Sequence, residues 1–565
     1  MKVADYLVDY LIRQGVTDAF GIPGGVILDL LYAMDARMEE LTPHLCFHEQ
    51  GAACAAVGYA QAKKKLGVAY ATRGPGFTNM ITTIADAYYD SVPLMIITAH
   101  SVSKQINEMR IEFDQELNPI SMVADITKYA VRVDSEFELQ KQLNRAYHEA
   151  TSGRMGPVVL DILSSIFSKD ITINLQIETE ICTSEQTRDI NTVVENILSS
   201  IQQSKRPVFL IGDGIKQVGM SEMLYTFISE SEIPVISSRA AHDIACGLPN
   251  YYGFVGSHGT RFANFVLCKA DLLIALGNRM SFPVNSESFG PIFNTIRTIR
   301  IDIDTSEFLR EIPNTDCYSA DLKELIPLLC QKKVQCAGLI DWIKVCSEIR
   351  ANLWDCDQEP HIKYLMEYLE KDNNSSIVTC DVGNHEFWVS HAAVYAKIKK
   401  EFLYSKSFGM LGCSIPKAIG AYYATKKPVL CITGDQGMQM NIQELQYIAM
   451  HNIPICVFVI NNHASGMIRS REIDKGKTYL LHTTQNSGYG VPNLGKLAEL
   501  YGLKYYRCNK NKYVDNTFYS NLPALIEMEV DDTIGLNPSL PRGKECWDMI
   551  PSCEKSILEK IMQLS

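Results

Sequence analysis

Short apolar runs, each ending on a glycine or a small polar residue, punctuate the chain from end to end. In the first 165 residues they are DAFGIPGG, PHLCFHE, GVAYAT, PLMIITA and PVVLDI, separated by stretches with helical spacing. Such runs, alternating with helices, belong to parallel strands that are covered on both faces. The scheme recurs twice. RPVFLIGDG, IPVISS, ADLLIALG and TIRIDID lie within residues 190–330, and SSIVTCDVG, EFLYSKSFG, KPVLCITGDQG, IPICVFVINN and ALIEMEV within 358–532. The expected fold is α/β, with three doubly wound parallel-sheet domains over 1–167, 190–330 and 358–532. A polar linker spans 168–190, a helical one 331–358, and residues 533–565 form a C-terminal tail with one short helix. A chain of 565 residues accommodates this at roughly 100–200 residues per domain.

Ligands of open parallel sheets bind beyond the carboxyl ends of strands. Strand VLCITGD ends at Gly434-Asp435, and strand CVFVIN ends at Asn461-Asn462 one crossover later. Asp435, Asn462 and the Ala464 carbonyl offer hard oxygen ligands that suit magnesium with water and phosphate. Asp and Asn are also ordinary turn residues. In the first domain, His48-Glu49-Gln50-Gly51 stands at a strand-to-helix junction. The plain role of a glutamate there is a charge at a helix N-terminus. Thr72-Arg73-Gly74-Pro75-Gly76-Phe77-Thr78-Asn79 is a rigid turn opening a helix, which by itself says only that backbone approaches something closely.

Lys plus Arg number 53 against 65 Asp plus Glu, a net charge of −12. That balance lacks the basic footprint of a nucleic-acid binder. The N-terminal MKVADYLVDYLIRQGV has helical spacing with Asp5, Asp9 and Arg13 interspersed, unlike a signal peptide. No run approaches the roughly 20 apolar residues of a membrane span. A cytoplasmic protein is expected. The 17 cysteines are scattered singly with no C-x-x-C pair, and are expected to be buried free thiols of a reducing compartment.

Taken in order, HEQGAACAAVGYA, RGPGFTN, DSVPLMIITA, GPVVLDI, SHGT, ADLLIALGNR, IDID, GDQGMQMNIQEL and NNHASGM resemble one family. The chain is similar, over about residues 3–550, to the thiamine-diphosphate (ThDP) enzymes of the acetolactate synthase and pyruvate oxidase group. The resemblance implies an active site between the first domain of one subunit and the third domain of another, hence a homodimer or homotetramer. It assigns Glu49 to N1′ of the aminopyrimidine. A carboxyl group there favours the imino tautomer, whose 4′ nitrogen takes the proton from thiazolium C2. It places Pro23, Gly24, Thr72 and Asn79 on the pyrimidine side. Gly383, Asn384, His385, Gly409, Gly434, Asp435, Gln436, Gly437, Asn462, Ala464, Ser465, Gly466 and Met467 fall on the diphosphate side. Asp435, Asn462 and Ala464 match the Mg²⁺ ligands, and Leu411 the wedge that bends the cofactor and brings its reacting atoms together. The middle domain resembles an FAD-binding domain, with Gly212, Gly214, His258, Gly259, Gly277, Arg279, Asp302 and Asp321 at matching positions. Relatives of this fold sometimes lose FAD or exchange it for another nucleotide.

The chain also departs from acetolactate synthase. The usual GDG reads Gly434-Asp435-Gln436, and Arg471, with Arg469 nearby, stands where a tryptophan selects the second keto acid. The FDDR segment reads Met280-Ser281-Phe282-Pro283. Arg73 replaces a serine and His100 a glutamine, whereas Gln115 and Glu116 keep the pattern with one residue shifted, and Lys128 also matches. Arg73, Arg469 and Arg471 either line an anionic acceptor's pocket or, for the last two, face solvent. His100 is either a general acid–base or a strand-end histidine bonded to backbone. The expected catalytic set is Glu49, His100, Gln115 and Lys128. The expected reaction is decarboxylation of pyruvate and transfer of the two-carbon unit to a carbonyl acceptor, for instance an anionic nucleotide-linked keto-sugar. The alternatives are a true acetolactate synthase, a 2-keto acid decarboxylase or oxidase, and a ThDP-fold subunit without catalysis.

Overall fold

A computed structural model describes residues 1–101, 114–173, 189–281, 287–508 and 521–564. Three six-stranded sheets organise them, and every strand pairing is parallel. The first sheet holds β1 (Asp18–Gly21), β2 (Thr42–Leu45), β3 (Gly67–Tyr70), β4 (Leu94–His100), β5 (Tyr129–Val133) and β6 (Pro157–Leu163). Its order is β2-β1-β3-β4-β6-β5. The middle sheet holds β7 (Pro207–Ile211), β8 (Val235–Ser237), β9 (Tyr251–Phe254), β10 (Leu272–Leu276), β11 (Arg297–Asp302) and β12 (Thr315–Ser319), ordered β12-β11-β10-β7-β8-β9. The third holds β13 (Ile377–Cys380), β14 (Glu401–Tyr404), β15 (Val429–Gly434), β16 (Ile455–Asn461), β17 (Lys504–Cys508) and β18 (Ala524–Glu529), ordered β14-β13-β15-β16-β18-β17.

The first and third sheets share one strand order, and the middle sheet follows the dinucleotide-fold order. The direction of winding reverses between β1 and β3, between β7 and β10, and between β13 and β15. Ligands of doubly wound sheets sit in the crevices at such reversals. Central strands such as β4 and β16 are buried at every residue, because helices cover both faces and leave no polar side to alternate with.

The first and third domains meet through the helices Glu49–Lys63 and Ser414–Thr425. A Cβ on Gly58 would lie 2.1 Å from the Lys417 carbonyl, and one on Gly420 would lie 1.8 Å from the Ala55 carbonyl. Only glycine allows these backbones so close. The Met410 sulfur lies 3.9 Å from Cys54 Sγ, so the loop before the second helix touches the first.

The tail is not a loose appendage. It folds back on itself through paired Ser539 and Ile550, and Leu540 N donates to the Ser257 carbonyl at 2.8 Å. Its helix Lys555–Gln563 packs on the helix Leu339–Leu353. Cys546 of this tail is joined to Cys268 by a disulfide, which corrects the expectation of free thiols throughout. The two cysteines are 278 residues apart, so only the tertiary fold reveals their pairing. The other described cysteines are free, most of them buried; Cys182 lies outside the described residues. Among the described residues no helix is long and apolar enough to cross a membrane.

Candidate active site

The turns after β1 and β3 meet at the first reversal. A Cβ on Gly24 would stand 2.3 Å from Thr72 Cβ, so Pro23-Gly24 and Thr72 are in contact and the glycine is required. Glu49 opens its helix behind the cap His48, whose Nδ1 accepts from Gln50 N at 3.1 Å. Asn79 Nδ2 donates to Glu49 Oε2 at 2.9 Å. The other oxygen, Oε1, is 3.4 Å from where a Gly76 Cβ would be. Glu49, Gly76 and Asn79 thus form one cluster, with Thr72 Cγ2 2.9 Å from the same virtual Cβ. Gly74 holds φ at +64°, and its added Cβ would strike the Gln115 carbonyl at 2.7 Å. Gln115 itself is exposed, with φ at +62°.

At the third reversal a polar cradle forms. Gly383 precedes the helix Asn384–Tyr395 with φ at +155°, and a Cβ there would meet the His385 ring at 2.5 Å. A Cβ on Gly434 would meet the same ring at 3.1 Å. His385 Nε2 lies 2.9 Å from Oδ1 of the fully buried Asp381, whose Oδ2 accepts from Gly412 N at 2.7 Å. Gly437 also abuts Asp381, at 2.2 Å from its virtual Cβ to Oδ2. Asp381 therefore binds the Gly383–His385 segment to the loop Gly409–Gly412. In that loop Gly409 and Gly412 take φ of +71° and +81°, with Leu411 half-buried between them.

Asp435 is buried at the end of β15, and Asn462 is buried just after β16. A Cβ on Gly466 would meet Asn384 Nδ2 at 2.5 Å and Asn462 Nδ2 at 2.8 Å. That draws Asn384, Asn462 and Gly466 into one spot. Ala464 pairs with Thr484, and Ser465 N donates to the Thr483 carbonyl at 3.0 Å, which fixes the segment before Gly466-Met467. Asp435 Oδ1 accepts from Tyr489 OH and from Gln436 N, each at 2.9 Å. Asp435 Oδ2 and both amide atoms of Asn384 are buried without a partner. Unpaired buried polar atoms are costly and mark a ligand position. Burial pushes the Asp435 carboxyl above its ordinary range, a cost that a divalent cation removes. The oxygen set and the amides fit a metal–diphosphate group. Gln436, in place of the usual glycine, is exposed.

The middle domain encloses a cavity of ≈ 1270 Å³ at the β7/β10 reversal. Gly212, Gly214, His258, Gly259, Gly277, Arg279, Asp302 and Asp321 all line it. A Cβ on Gly212 would sit 2.1 Å from the Gly277 carbonyl, so the two turns touch across the crevice. Most lining cations are already neutralised. Glu307 receives Arg154 and Arg279, each at 2.8 Å, and Lys406 pairs with Asp213. Tyr89 to Ser91 and Gly153 to Met155 of the first domain, Met467 and Arg471 of the third and Leu540 to Gly543 of the tail also line it. The volume exceeds that of an ordinary small-ligand pocket and suits a dinucleotide.

The remaining expected residues are placed differently from one another. Arg73 is ion-paired to Glu116 at 3.0 Å, and Glu116 also accepts from Ser101 N. Its charge is therefore balanced inside the protein. His100 is 1% exposed, with Nε2 2.9 Å from Asp134 and Nδ1 3.1 Å from Asp161. Both ring nitrogens face carboxylates rather than backbone. Lys128 donates to the carbonyls of Glu149 and Ser152 at the end of the helix Glu136–Thr151, a helix-terminus role. Arg471 faces the middle cavity, while Arg469 is half-buried with an unpaired Nε. Phe282 and Pro283 lie outside the described residues. Sequence reasoning missed Asp381 and Tyr489. Asp381 was legible as the polar end of VTCD after β13; no local signal pointed to Tyr489.

Comparison with known proteins agrees with this arrangement. Residues 1–122 match the thiamine pyrophosphate enzyme N-terminal TPP binding domain, 194–329 the central domain and 381–528 the C-terminal TPP binding domain. The chain is 32% identical to the acetolactate synthase large subunit of Lactococcus lactis over 95% of its length and 94% of the relative's. It is 30% identical to the acetolactate synthase isozyme 2 large subunit of Escherichia coli, covering 97% and 99%. A probable acetolactate synthase large subunit of Methanococcus aeolicus is also 30% identical, covering 100% and 97%. With two cradles at matching reversals and similarity along its whole length, the chain belongs to the thiamine-diphosphate enzymes as an acetolactate synthase-like enzyme that breaks and forms carbon–carbon bonds.

Proposed function

We propose that the protein decarboxylates pyruvate and joins the remaining two-carbon unit to the carbonyl of a second 2-keto acid, as an acetolactate synthase does. The observation that carries this reading is the pairing of the unpartnered Asp435 Oδ2 and Asn384 amide with similarity to acetolactate synthases over nearly the whole chain. Asp435, Asn462 and the Ala464 carbonyl would hold Mg²⁺. Gly383, Asn384, His385 and Gly466 would hold the diphosphate, and Glu49, aided by Asn79, would hold a proton at N1′ of the pyrimidine. Bound ThDP supplies the carbanion-stabilising chemistry. Leu411 props the cofactor, and two copies pair the first domain of one with the third domain of the other.

The middle cavity takes FAD in this reading, supported by the dinucleotide-fold strand order and the touching glycine turns. A nucleotide-linked keto-sugar acceptor has less support. Arg73 is neutralised by Glu116, and Arg471 lines the middle cavity. The test is to incubate the protein with pyruvate, ThDP and Mg²⁺, record its visible spectrum for flavin, and measure CO₂ and acetolactate. Release of CO₂ with acetolactate supports the reading; neither product refutes it. CO₂ with a product formed only on adding a nucleotide-linked carbonyl would reassign the acceptor.

A further inference from the structure

Two pairs of cysteines fasten the C-terminal tail to the rest of the molecule. Cys546 is joined to Cys268, at the end of the helix Arg261–Lys269. Seven residues further along, Cys553 lies beside Cys356, just beyond the helix Leu339–Leu353, and the two thiols interact. Between the two pairs, the fully enclosed Arg261 side chain donates to the carbonyls of Met549 and Pro551 at 3.0 and 2.5 Å and pairs with Asp357 at 2.7 Å. The same tail supplies Leu540, Pro541, Arg542 and Gly543 to the wall of the middle cavity. The tail is thus a strap that crosses the cavity rim and is held down at two sulfur contacts.

We propose that Cys356 and Cys553 form a second disulfide, and that the two pairs together are a redox clasp closing the strap against the cavity. The position of the second pair carries this. It joins the tail to the linker beside Asp357, and Arg261 from the helix that carries Cys268 bridges Asp357 to the tail at Pro551, so both pairs hold the same stretch of tail. Both of its cysteines are half-buried, whereas Cys54 and Cys413, which share another cluster, have no exposed surface and are out of reach of a solvent thiol or disulfide. The contact with Cys356, with Arg261 nearby, draws the Cys553 thiol below its ordinary range against the effect of burial. Cys553 is then the thiol that attacks as thiolate. It attacks one sulfur of a low-molecular-weight disulfide such as oxidised glutathione and expels one glutathione thiolate. Cys356 then loses its proton, attacks the mixed disulfide at the Cys553 sulfur and expels the second. Two electrons pass from the protein dithiol to the glutathione disulfide, and the two protons released yield two molecules of reduced glutathione. Reduced glutathione reverses the exchange, and a bond that forms and opens with the thiol poise is a switch rather than a fixed staple.

The experiment uses the full-length protein equilibrated in oxidised or reduced glutathione, trapped with an alkylating agent and mapped as peptides. Limited thermolysin digestion of the strap is followed in parallel. The expected result is a Cys356–Cys553 linked peptide beside Cys268–Cys546 in the oxidised sample. Both are lost on reduction, and the strap is then cleaved at least about tenfold faster. A C356S/C553S variant in oxidised buffer should be cleaved at an intermediate rate. Cys356 or Cys553 found alkylated in the oxidised sample, or linked elsewhere, overturns the proposal. So does a cleavage rate that ignores the redox state of wild type. The peptide map reads neither cofactor nor activity, so it stands apart from the proposed reaction.

Discussion

The Tyr489 hydroxyl donates to Asp435 Oδ1 at 2.9 Å, which leaves Oδ2 as the buried, unpartnered oxygen at the end of β15. The two oxygens therefore have different duties. Tyr489→Phe should destabilise the cofactor-free protein by about 1–3 kcal/mol, because a buried carboxylate loses one of its two donors. It should keep the rise in thermal stability that ThDP and Mg²⁺ produce together. Asp435→Ala should abolish that rise. Thermal unfolding of both variants, with and without the two ligands, checks the assignment.

Glu49 and Asn79 form the matching pair in the first domain. Glu49→Gln keeps the size and the hydrogen bond but removes the charge that retains a proton at N1′. Exchange of the C2 proton of bound ThDP, followed by NMR, should slow by at least about a hundredfold, the range of general acid–base effects. Asn79→Ala should slow it by about tenfold, since one hydrogen bond to a charged group is lost. Equal rates for wild type and Glu49→Gln would remove Glu49 from the mechanism.

A buried ion pair spans the seam between the first and third domains. Lys417 Nζ lies 3.0 Å from Asp86 Oδ2, and neither side chain has exposed surface. Burial pulls the Lys417 ammonium downward, and Asp86 more than restores it, holding it well above the ordinary range. Lys417→Met strands the carboxylate and should cost about 3–5 kcal/mol in urea unfolding. Adding Asp86→Leu to that variant should recover most of the loss. A double variant as unstable as the single one would mean that packing, not the unpaired charge, sets the cost.

What the sequence revealed and what it concealed divide along local and distant contacts. Strand runs such as VLCITGD and the turns that end them are local, so the three sheets and the Gly383, Gly434 and Asn462 positions were readable. The cavity glycines were placed by the family resemblance, and Gly212 and Gly277 directly follow β7 and β10. The partners of Arg73, His100 and Lys128 come from elsewhere in the chain. Glu116, Asp161 and Glu149 reach them only once the first sheet has wound, so their neutralised or helix-capping surroundings had no sequence signature. The Cys268–Cys546 pairing was hidden for the same reason.

Glu444 gives the fold a pH dependence close to the active-site helix. It is fully buried, and its Oε1 accepts from Phe47 N at 3.2 Å, just ahead of His48 and Glu49. A Cβ on Gly51 would lie 2.5 Å from that oxygen, so the glycine makes its room. Burial pushes the carboxyl up to about 7 from 4.5, only partly offset by the hydrogen bonds from Phe47, Gln443 and His48. The folded protein therefore keeps a proton that the unfolded chain releases between those two values. Stability is greatest below the lower value and falls as pH rises to the higher, by about 3 kcal/mol at most. Glu444→Gln cannot ionise and escapes this loss. The stability of the variant relative to wild type should rise by up to about 3 kcal/mol between pH 5 and pH 8 in urea unfolding. An identical difference at both pH values would show that Glu444 ionises as freely in the fold as in the unfolded chain.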